Sequence, residues 1–247
     1  MTVGGSSFFY DLYRLAWTAL DWVYPPVCGG CKQPGARWCP ECQRNVPVIG
    51  GNVCDSCGTP QDKPGLCSDC AREQPPYHAL RSWLVFDDPI RSALHRLKYK
   101  QDVAMGEAIA AQMTGFVRSL AWPVETLIPI PLSEARRRER GYNQVGLIAH
   151  PLALALGYRY APHALQRWRN THSQVGLSRE QRRENVRGVF RVRGSEVRGK
   201  KVLLVDDVAT TGSTLNAGAE ALLAGGALQV YALTVARALP RHGLRHA

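Results

Sequence analysis

The stretch VLLVDDVATTGST, Val202 to Thr214, decides the fold. Its four leading apolar residues, Val202 to Val205, read as a buried parallel strand that runs straight into two carboxylates, Asp206 and Asp207, and then into a small-residue loop opening a helix. In open α/β sheets ligands bind at the C-terminal ends of the strands, so this edge is the candidate site. Asp206 and Asp207, where the strand is expected to bend away, can accept hydrogen bonds from neighbouring hydroxyls of a ribose. The loop Ala209 to Thr214 can wrap a phosphate with backbone N–H groups at a helix N-terminus, and the hydroxyls of Thr210, Thr211, Ser213 and Thr214 add donors. Gly212 lets the backbone approach closely. Two carboxylates beside a phosphate would repel it unless a sugar or a cation lies between. A sugar with vicinal hydroxyls and a terminal phosphate meets both demands. A generic Rossmann turn or a nucleoside-phosphate loop are the competing readings; a Walker loop is not, because GxxxxGK[ST] is absent.

Working outward from this stretch, strand and helix signals alternate. Leu80 to Phe86 reads as a strand, Pro89 to Tyr99 as a helix, Val103 to Leu120 as a longer helix and Thr126 to Ile130 as an apolar strand. An Arg-rich helix begins near Ser133, and an apolar run occupies Val145 to Leu156, kinked or interrupted at Pro151. Lys201 to Val205 is a strand, Ser213 to Ala224 a helix stopped by Gly225 and Gly226, and Val230 to Val235 a final strand. Such alternation implies an α/β fold with a doubly wound, mostly parallel sheet.

All eight cysteines precede this domain, as four CxxC pairs: Cys28 with Cys31, Cys39 with Cys42, Cys54 with Cys57, and Cys67 with Cys70. Two CxxC knuckles supply the four thiolates of a tetrahedral zinc site, so two structural zinc ions are expected in a small zinc-ribbon-like module. The pairing is open: sequential sites and a cross-braced arrangement of the first knuckle with the third both satisfy the spacing. A disulfide framework would need an export route, a redox motif would need only one pair, and iron–sulfur ligation is the minor alternative. The expected organisation is an amphipathic helix over residues 1–26, the cysteine module over 27–74, the α/β domain over 77–240 and a basic tail over 241–247.

The chain has 247 residues and a net charge of +11. Twelve Lys or Arg stand against three acids between Arg159 and Lys201, which suits a polyanionic partner or a solubilising arginine-rich face. No apolar run is long enough to span a membrane, and Phe8 to Tyr24 is broken by Asp11, Arg14 and Asp21, so no membrane insertion is expected and a cytoplasmic location is. Phe8, Leu12, Leu15, Ala19, Trp22 and Val23 follow a helical period, predicting a docking helix whose apolar stripe packs on the core.

The Val202–Thr214 stretch resembles the signature of type I phosphoribosyltransferases: four apolar residues, two acids, then a Thr-Gly loop. The whole layout is similar to the ComF family, a Cys-rich zinc module followed by a phosphoribosyltransferase-like domain. IPIPLSEARRRERGYNQ (Ile128 to Gln144), RNTHSQVGLSREQRRENVRGVF (Arg169 to Phe190) and HRLKYK (His95 to Lys100) carry that resemblance. It implies phosphoribosyl pyrophosphate with Mg²⁺ as ligand, with Asp206 and Asp207 on the ribose 2′ and 3′ hydroxyls and Ala209 to Thr214 on the 5′-phosphate. Enzymes of this class acting on 6-oxopurines carry an acid before the Thr-Gly pair, where this chain has Thr210, a poor general base, so that activity is disfavoured. Arg136, Arg137 and Arg140 follow a strand end and can supply cations to a diphosphate, while Arg169, Thr171 and Gln174 fit a flap over the ligand.

Two functions follow as expectations. One is transfer or hydrolysis of a phosphoribosyl group. The other, implied by the family, is a non-catalytic single-stranded-DNA-binding protein of DNA uptake and natural transformation that uses the fold for sensing or docking, with a competence ATPase-helicase as partner.

Overall fold

The computed structural model describes residues 8–168 and 188–239. The cysteine module comes first, after helix α1 (Phe8–Val23), and contains two short helices, α2 (Pro40–Asn45) and α3 (Ser68–Arg72). Then follow β1 (Ala79–Val85), α4 (Ile90–Tyr99), α5 (Ala104–Ser119), β2 (Thr126–Pro129), α6 (Glu134–Arg140), α7 (Gln144–Leu156) and β3 (Arg159–Tyr160). A hairpin of β4 (Leu165–Arg167) and β5 (Phe190–Val192) precedes β6 (Lys201–Ala209), α8 (Ser213–Ala224) and β7 (Gln229–Arg237).

Five strands form one parallel sheet in the order β1-β7-β6-β2-β3. The central strands β2, β6 and β7 are too apolar to face water, so both faces are covered. On one face α4, α5 and α7 pack Leu94, Leu97, Met105, Ile109, Ile148 and Leu152 against Leu127, Leu203, Val205 and Leu233. On the other, α8 and the β4–β5 hairpin enclose Leu80, Ile128, Leu204 and Ala232 with Leu215, Leu222, Leu165 and Phe190. From β2 the chain moves outward to β3, and from β6 it moves the opposite way to β7. The order therefore reverses between β2 and β6, which opens a crevice at their C-terminal ends.

The cysteine module seals the sheet's β1 edge. Leu80 N–H donates to the Ser56 carbonyl and Val85 N–H to the Pro47 carbonyl, so edge donors that would otherwise face solvent are used. Its first knuckle enters the main core, with Cys28, Trp38, Cys42 and Val46 packed among the α4 and α5 side chains.

Two expectations need correction. Pro151 does not interrupt α7, which runs unbroken from Gln144 to Leu156 and ends at Gly157 in the left-handed region. Pro151 lies in the eighth position of that helix, buried against the core, and packing of both flanking turns outweighs the lost N–H. The second concerns α1. It forms as a helix, but the stripe of Phe8, Leu12, Leu15, Trp22 and Val23 is solvent-exposed, up to 88% at Trp22. The face turned to the body is Tyr10, Tyr13, Trp17 and Asp21: Tyr13 packs edge-on to His150 of α7, Arg37 stacks on Trp17, and Arg37 pairs with Asp21. Tyr10, Tyr13 and Trp17, aromatic rings with polar handles, form this seam against a surface that carries Glu107, Arg37 and His150.

The α5–α7 contact gives a paired prediction. Gly106 lies against α7, where an added methyl would sit 2.6 Å from the Leu147 carbonyl oxygen, whereas Gly115 on the same helix meets nothing within 4 Å. Gly106→Ala is expected to destabilise the protein by about 1–3 kcal/mol through overpacking, and Gly115→Ala to stabilise it by up to about 1 kcal/mol through helix propensity. Thermal unfolding of the two variants measures both signs; equal shifts would contradict the packing.

Candidate phosphate and ribose site at the switch point

The strand that carries the signature stays in the sheet longer than expected. β6 continues through both carboxylates to Ala209, because β7 runs alongside it: Asp206 is registered with Thr234, Val208 with Ala236 and Ala209 with Arg237. The chain does not bend away at the acids. Adjacent residues of a strand face opposite sides of the sheet, so the two carboxylates enter different surroundings.

Asp207 is 6% exposed, and its Oδ2 accepts a hydrogen bond from Gln144 Nε2 at 2.8 Å and pairs with Lys98 Nζ at 3.0 Å. Asp206 is partly exposed, its Oδ1 accepts the Asp207 backbone N–H at 2.8 Å, and it lines a shallow depression together with Val208 through Leu215. Burial first, and then the neighbouring charge of Asp207, raise the Asp206 pKa to about 7, against the opposing fields of Lys98 and Arg136. Asp207 is thus held by partners inside the protein, while Asp206 faces the depression.

The loop supplies the complementary half. Gly212 adopts φ 78°, a left-handed conformation that a side chain would strain, and opens α8 with no side-chain cap on the helix. Free N–H groups at such a terminus attract anions. Thr211 Oγ1 and Ser213 Oγ are 2.8 Å apart, and Ser213 N–H reaches Thr211 Oγ1 at 3.4 Å, which shapes the turn around the depression. Thr210 and Thr214 line the same depression.

Of the arginines after β2, the structure separates those that reach the site from those that do not. Ser133 caps α6 by accepting the Arg136 N–H, and the charge of Arg136 acts on both Asp206 and Arg167. Arg137 lies on the exposed helix, its carbonyl accepting the Gly141 N–H. Arg140 turns away to α4, its guanidinium 4.9 Å over the Tyr99 ring and its Nη2 3.3 Å from the Tyr99 hydroxyl. Arg169, Thr171 and Gln174, expected as a flap, lie outside the described residues, as does the 241–247 tail. Three residues of this site were not assigned from sequence. Lys98 and Gln144 were legible as polar positions inside the HRLKYK and RGYNQ segments. Arg167 had no signal, because only the β4–β5 hairpin brings it near Asp206; burial lowers its pKa first, the Arg136 charge second, and Asp206 acts in the opposite sense.

The cysteines form two sequential clusters, Cys28–Cys31–Cys39–Cys42 and Cys54–Cys57–Cys67–Cys70, with the ligand atoms of each set within 4.8 Å of one another. Sequential pairing, not cross-bracing, is the arrangement. The sets fit a structural tetrahedral zinc with no fourth position left for water. Although burial opposes ionisation, backbone N–H groups of Cys39, Cys31 and Gly30 bring the Cys28 pKa down to about 6, and those of Cys67, Cys57 and Ser56 do the same for Cys54, which favours the thiolate form that a zinc ion binds. Among the described residues no helix is long and apolar enough to cross a membrane.

Asp206 gives a pH prediction. Its folded pKa is raised, so the folded chain holds that proton more tightly than the unfolded chain; the associated stability is present at low pH and lost as pH climbs from the ordinary carboxylate range to about 7. Asp206→Asn removes this term. Its melting temperature relative to wild type is expected to rise across that window, and parallel curves would contradict the assignment.

Comparison with known proteins agrees with both halves of the molecule. A double zinc ribbon domain model matches residues 19–71 and a phosphoribosyl transferase domain model matches residues 149–244. The chain is 33% identical over 225 residues to the DNA utilization protein YhgH of Salmonella typhi, covering 87% of this chain and 98% of that one. It is 30% identical to the competence protein ComFC of Bacillus subtilis, with 83% and 86% covered, and 30% identical to competence protein F of Haemophilus influenzae, with 81% and 90% covered. With a parallel phosphoribosyltransferase-like sheet, two four-cysteine clusters and relatives matched along nearly their whole length, the chain belongs to the ComF family.

Proposed function

We propose that the crevice between β2 and β6 binds a phosphoribosyl pyrophosphate-like ligand together with Mg²⁺. The observation that carries this reading is the junction of an uncapped helix N-terminus with a partly exposed, charge-poor carboxylate at the sheet's topological switch point. Backbone N–H groups and hydroxyls of Ala209, Thr210, Thr211, Gly212, Ser213 and Thr214 take the 5′-phosphate. Asp206 takes the ribose hydroxyls, and Lys98 and Gln144 fix the Asp207 carboxylate behind it. Arg136 and Arg167, two cations within each other's field beside Asp206, suit a diphosphate that would neutralise their repulsion. Mg²⁺ bound to the ligand's oxygens would supply further charge neutralisation, and the elevated Asp206 pKa fits a carboxylate that gains a cation on binding.

Transfer or hydrolysis at C1 would draw on the same arginines, since negative charge builds on the departing diphosphate. No acid stands at Thr210, so the acceptor is not a 6-oxopurine activated from that position. Calorimetry with phosphoribosyl pyrophosphate and Mg²⁺ is expected to give saturable binding to wild type. Asp206→Asn/Asp207→Asn should weaken it by at least about tenfold, the equivalent of one lost charged hydrogen bond. Unchanged affinity in a variant that still folds would overturn the reading.

A second reading is favoured by one observation. A groove of about 660 Å³ between the first cysteine cluster and α4 is lined by Lys32, Arg91, His95, Arg96 and Lys100, on a chain related to DNA utilization and competence proteins. Arg91 and Arg96 are paired with Asp88 and Asp102, which leaves Lys32 and Lys100 as the cations for a single-stranded DNA backbone. Affinity for a single-stranded oligonucleotide should then fall steeply with salt, and Lys32→Gln/Lys100→Gln should lower the slope of log K against log salt by about 1–2. A slope identical to wild type would remove the groove from the DNA path.

A further inference from the structure

The two cysteine clusters meet the domain differently. In each case an arginine grips a cysteine carbonyl. For the first cluster it is Arg96, whose Nη1 donates to the Cys28 carbonyl at 3.1 Å and whose charge is matched by Asp102 at 2.7 Å. The second is held by two, Arg81 of β1, whose Nη1 donates to the Cys54 carbonyl at 3.3 Å, and the buried Arg237, the last residue of β7, whose Nη2 donates to the Cys57 carbonyl and whose Nη1 reaches Thr59 Oγ1 at 3.3 Å. Arg237 is 5% exposed, and among the described residues no carboxylate pairs with it. A buried cation without a counter-charge is not tolerated in a folded protein. Its donors go to the Cys57 carbonyl and the Thr59 hydroxyl, and the sulfurs of Cys57, Cys54 and Cys67 lie within its field. Four thiolates on one divalent ion carry a net double negative charge, so the loaded second cluster is the counterion of Arg237.

Arg237 is also bonded into the phosphate loop's support. Its strand neighbour is Ala209, where the loop begins, and Ala238 N–H donates to the Ala209 carbonyl at 2.9 Å. Beside it stands Tyr77, 4% exposed, whose hydroxyl lies 3.5 Å from the point a Cβ on Gly212 would occupy. The knuckle itself is fixed to the sheet: Leu80 N–H donates to the Ser56 carbonyl, and a Cβ on Gly58 would lie 2.3 Å from the Leu80 oxygen, so the module sits in backbone contact with β1. The second cluster, Arg237, Tyr77 and the αL turn at Gly212 therefore form one contiguous packed unit.

We propose that metal in the second four-cysteine cluster and ligand in the phosphate loop bind cooperatively, with Arg237 and Tyr77 as the positioning residues that join them. Loss of the metal loosens the knuckle that presents the Cys57 carbonyl and reduces the negative charge beside Arg237, and the guanidinium loses its place between the knuckle and the end of β7. The Ala209–Gly212 turn then loses its support. By reciprocity, ligand in the loop tightens metal in the second cluster and not in the first, whose arginine has its own carboxylate. This inference rests on the phosphate site proposed above.

Ribose 5-phosphate is the probe, because it offers the phosphate and the diol without a diphosphate that would itself chelate zinc. Zinc transfer from the zinc-loaded full chain to a chromophoric chelator is expected to show two releases. Saturating ribose 5-phosphate should slow one of them by at least about fivefold and leave the other unchanged. Arg237→Met should retain zinc but lose the ligand dependence, and Arg237→Lys should recover part of it; a merely structural role for Arg237 would change both releases with and without ligand alike. Calorimetry on the same samples separates the two ideas. Saturable binding with ligand-independent zinc release overturns the coupling alone. Absence of any binding by wild type overturns the phosphate site and the coupling with it.

Discussion

The backbone ladder between β6 and β7 continues past the apolar core, as far as Ala209 opposite Arg237, and the site is arranged around that continuation. Two consecutive acids in a regular strand cannot share one pocket. Asp207 is turned inward, to Lys98 on α4 and Gln144 on α7, and Asp206 is turned to the depression beneath the loop. One carboxylate is anchored inside the protein and the other faces the depression. The same ladder delivers the chain to Gly212, where α8 begins beside the depression that residues 208–215 line.

The cysteine module contributes what the sheet lacks at its β1 edge. Ser56 and Pro47 carbonyls take the edge donors of β1, and the first knuckle extends the main core with Cys28, Trp38 and Val46. A segment this short cannot build its own core, and zinc coordination of the kind the two clusters fit would substitute for one. Its placement also brings a cluster near each side of the crevice. The first leans on α4, which carries Lys98 to Asp207, and the second leans on Arg237 and Tyr77 beside the loop.

Much of this was legible in the sequence because its signals are local. The apolar run ending in two acids, the Thr-Gly turn and the four CxxC pairs each fix geometry within a few residues, and the parallel α/β fold and cysteine clusters follow from them. Long-range pairing was not legible. The extension of β6 depends on β7, some thirty residues later, and Arg167 enters the site only because the hairpin folds back across β5. The α1 stripe misled for a different reason: helical periodicity marks an apolar face, but which face docks is set by the partner surface, here one that favours Tyr13 and Trp17. The apolar stripe of Phe8, Leu12, Leu15, Trp22 and Val23 stays exposed.

Recognition of a ribose 5-phosphate end by the Asp206–Thr214 edge is tested by a crystal structure of the zinc-loaded chain with ribose 5-phosphate. The phosphate is expected on the backbone N–H groups of residues 210–214, with the ribose hydroxyls within hydrogen-bonding distance of Asp206. Ligand density in the groove beside Lys32 and Lys100, with the loop empty, would contradict it.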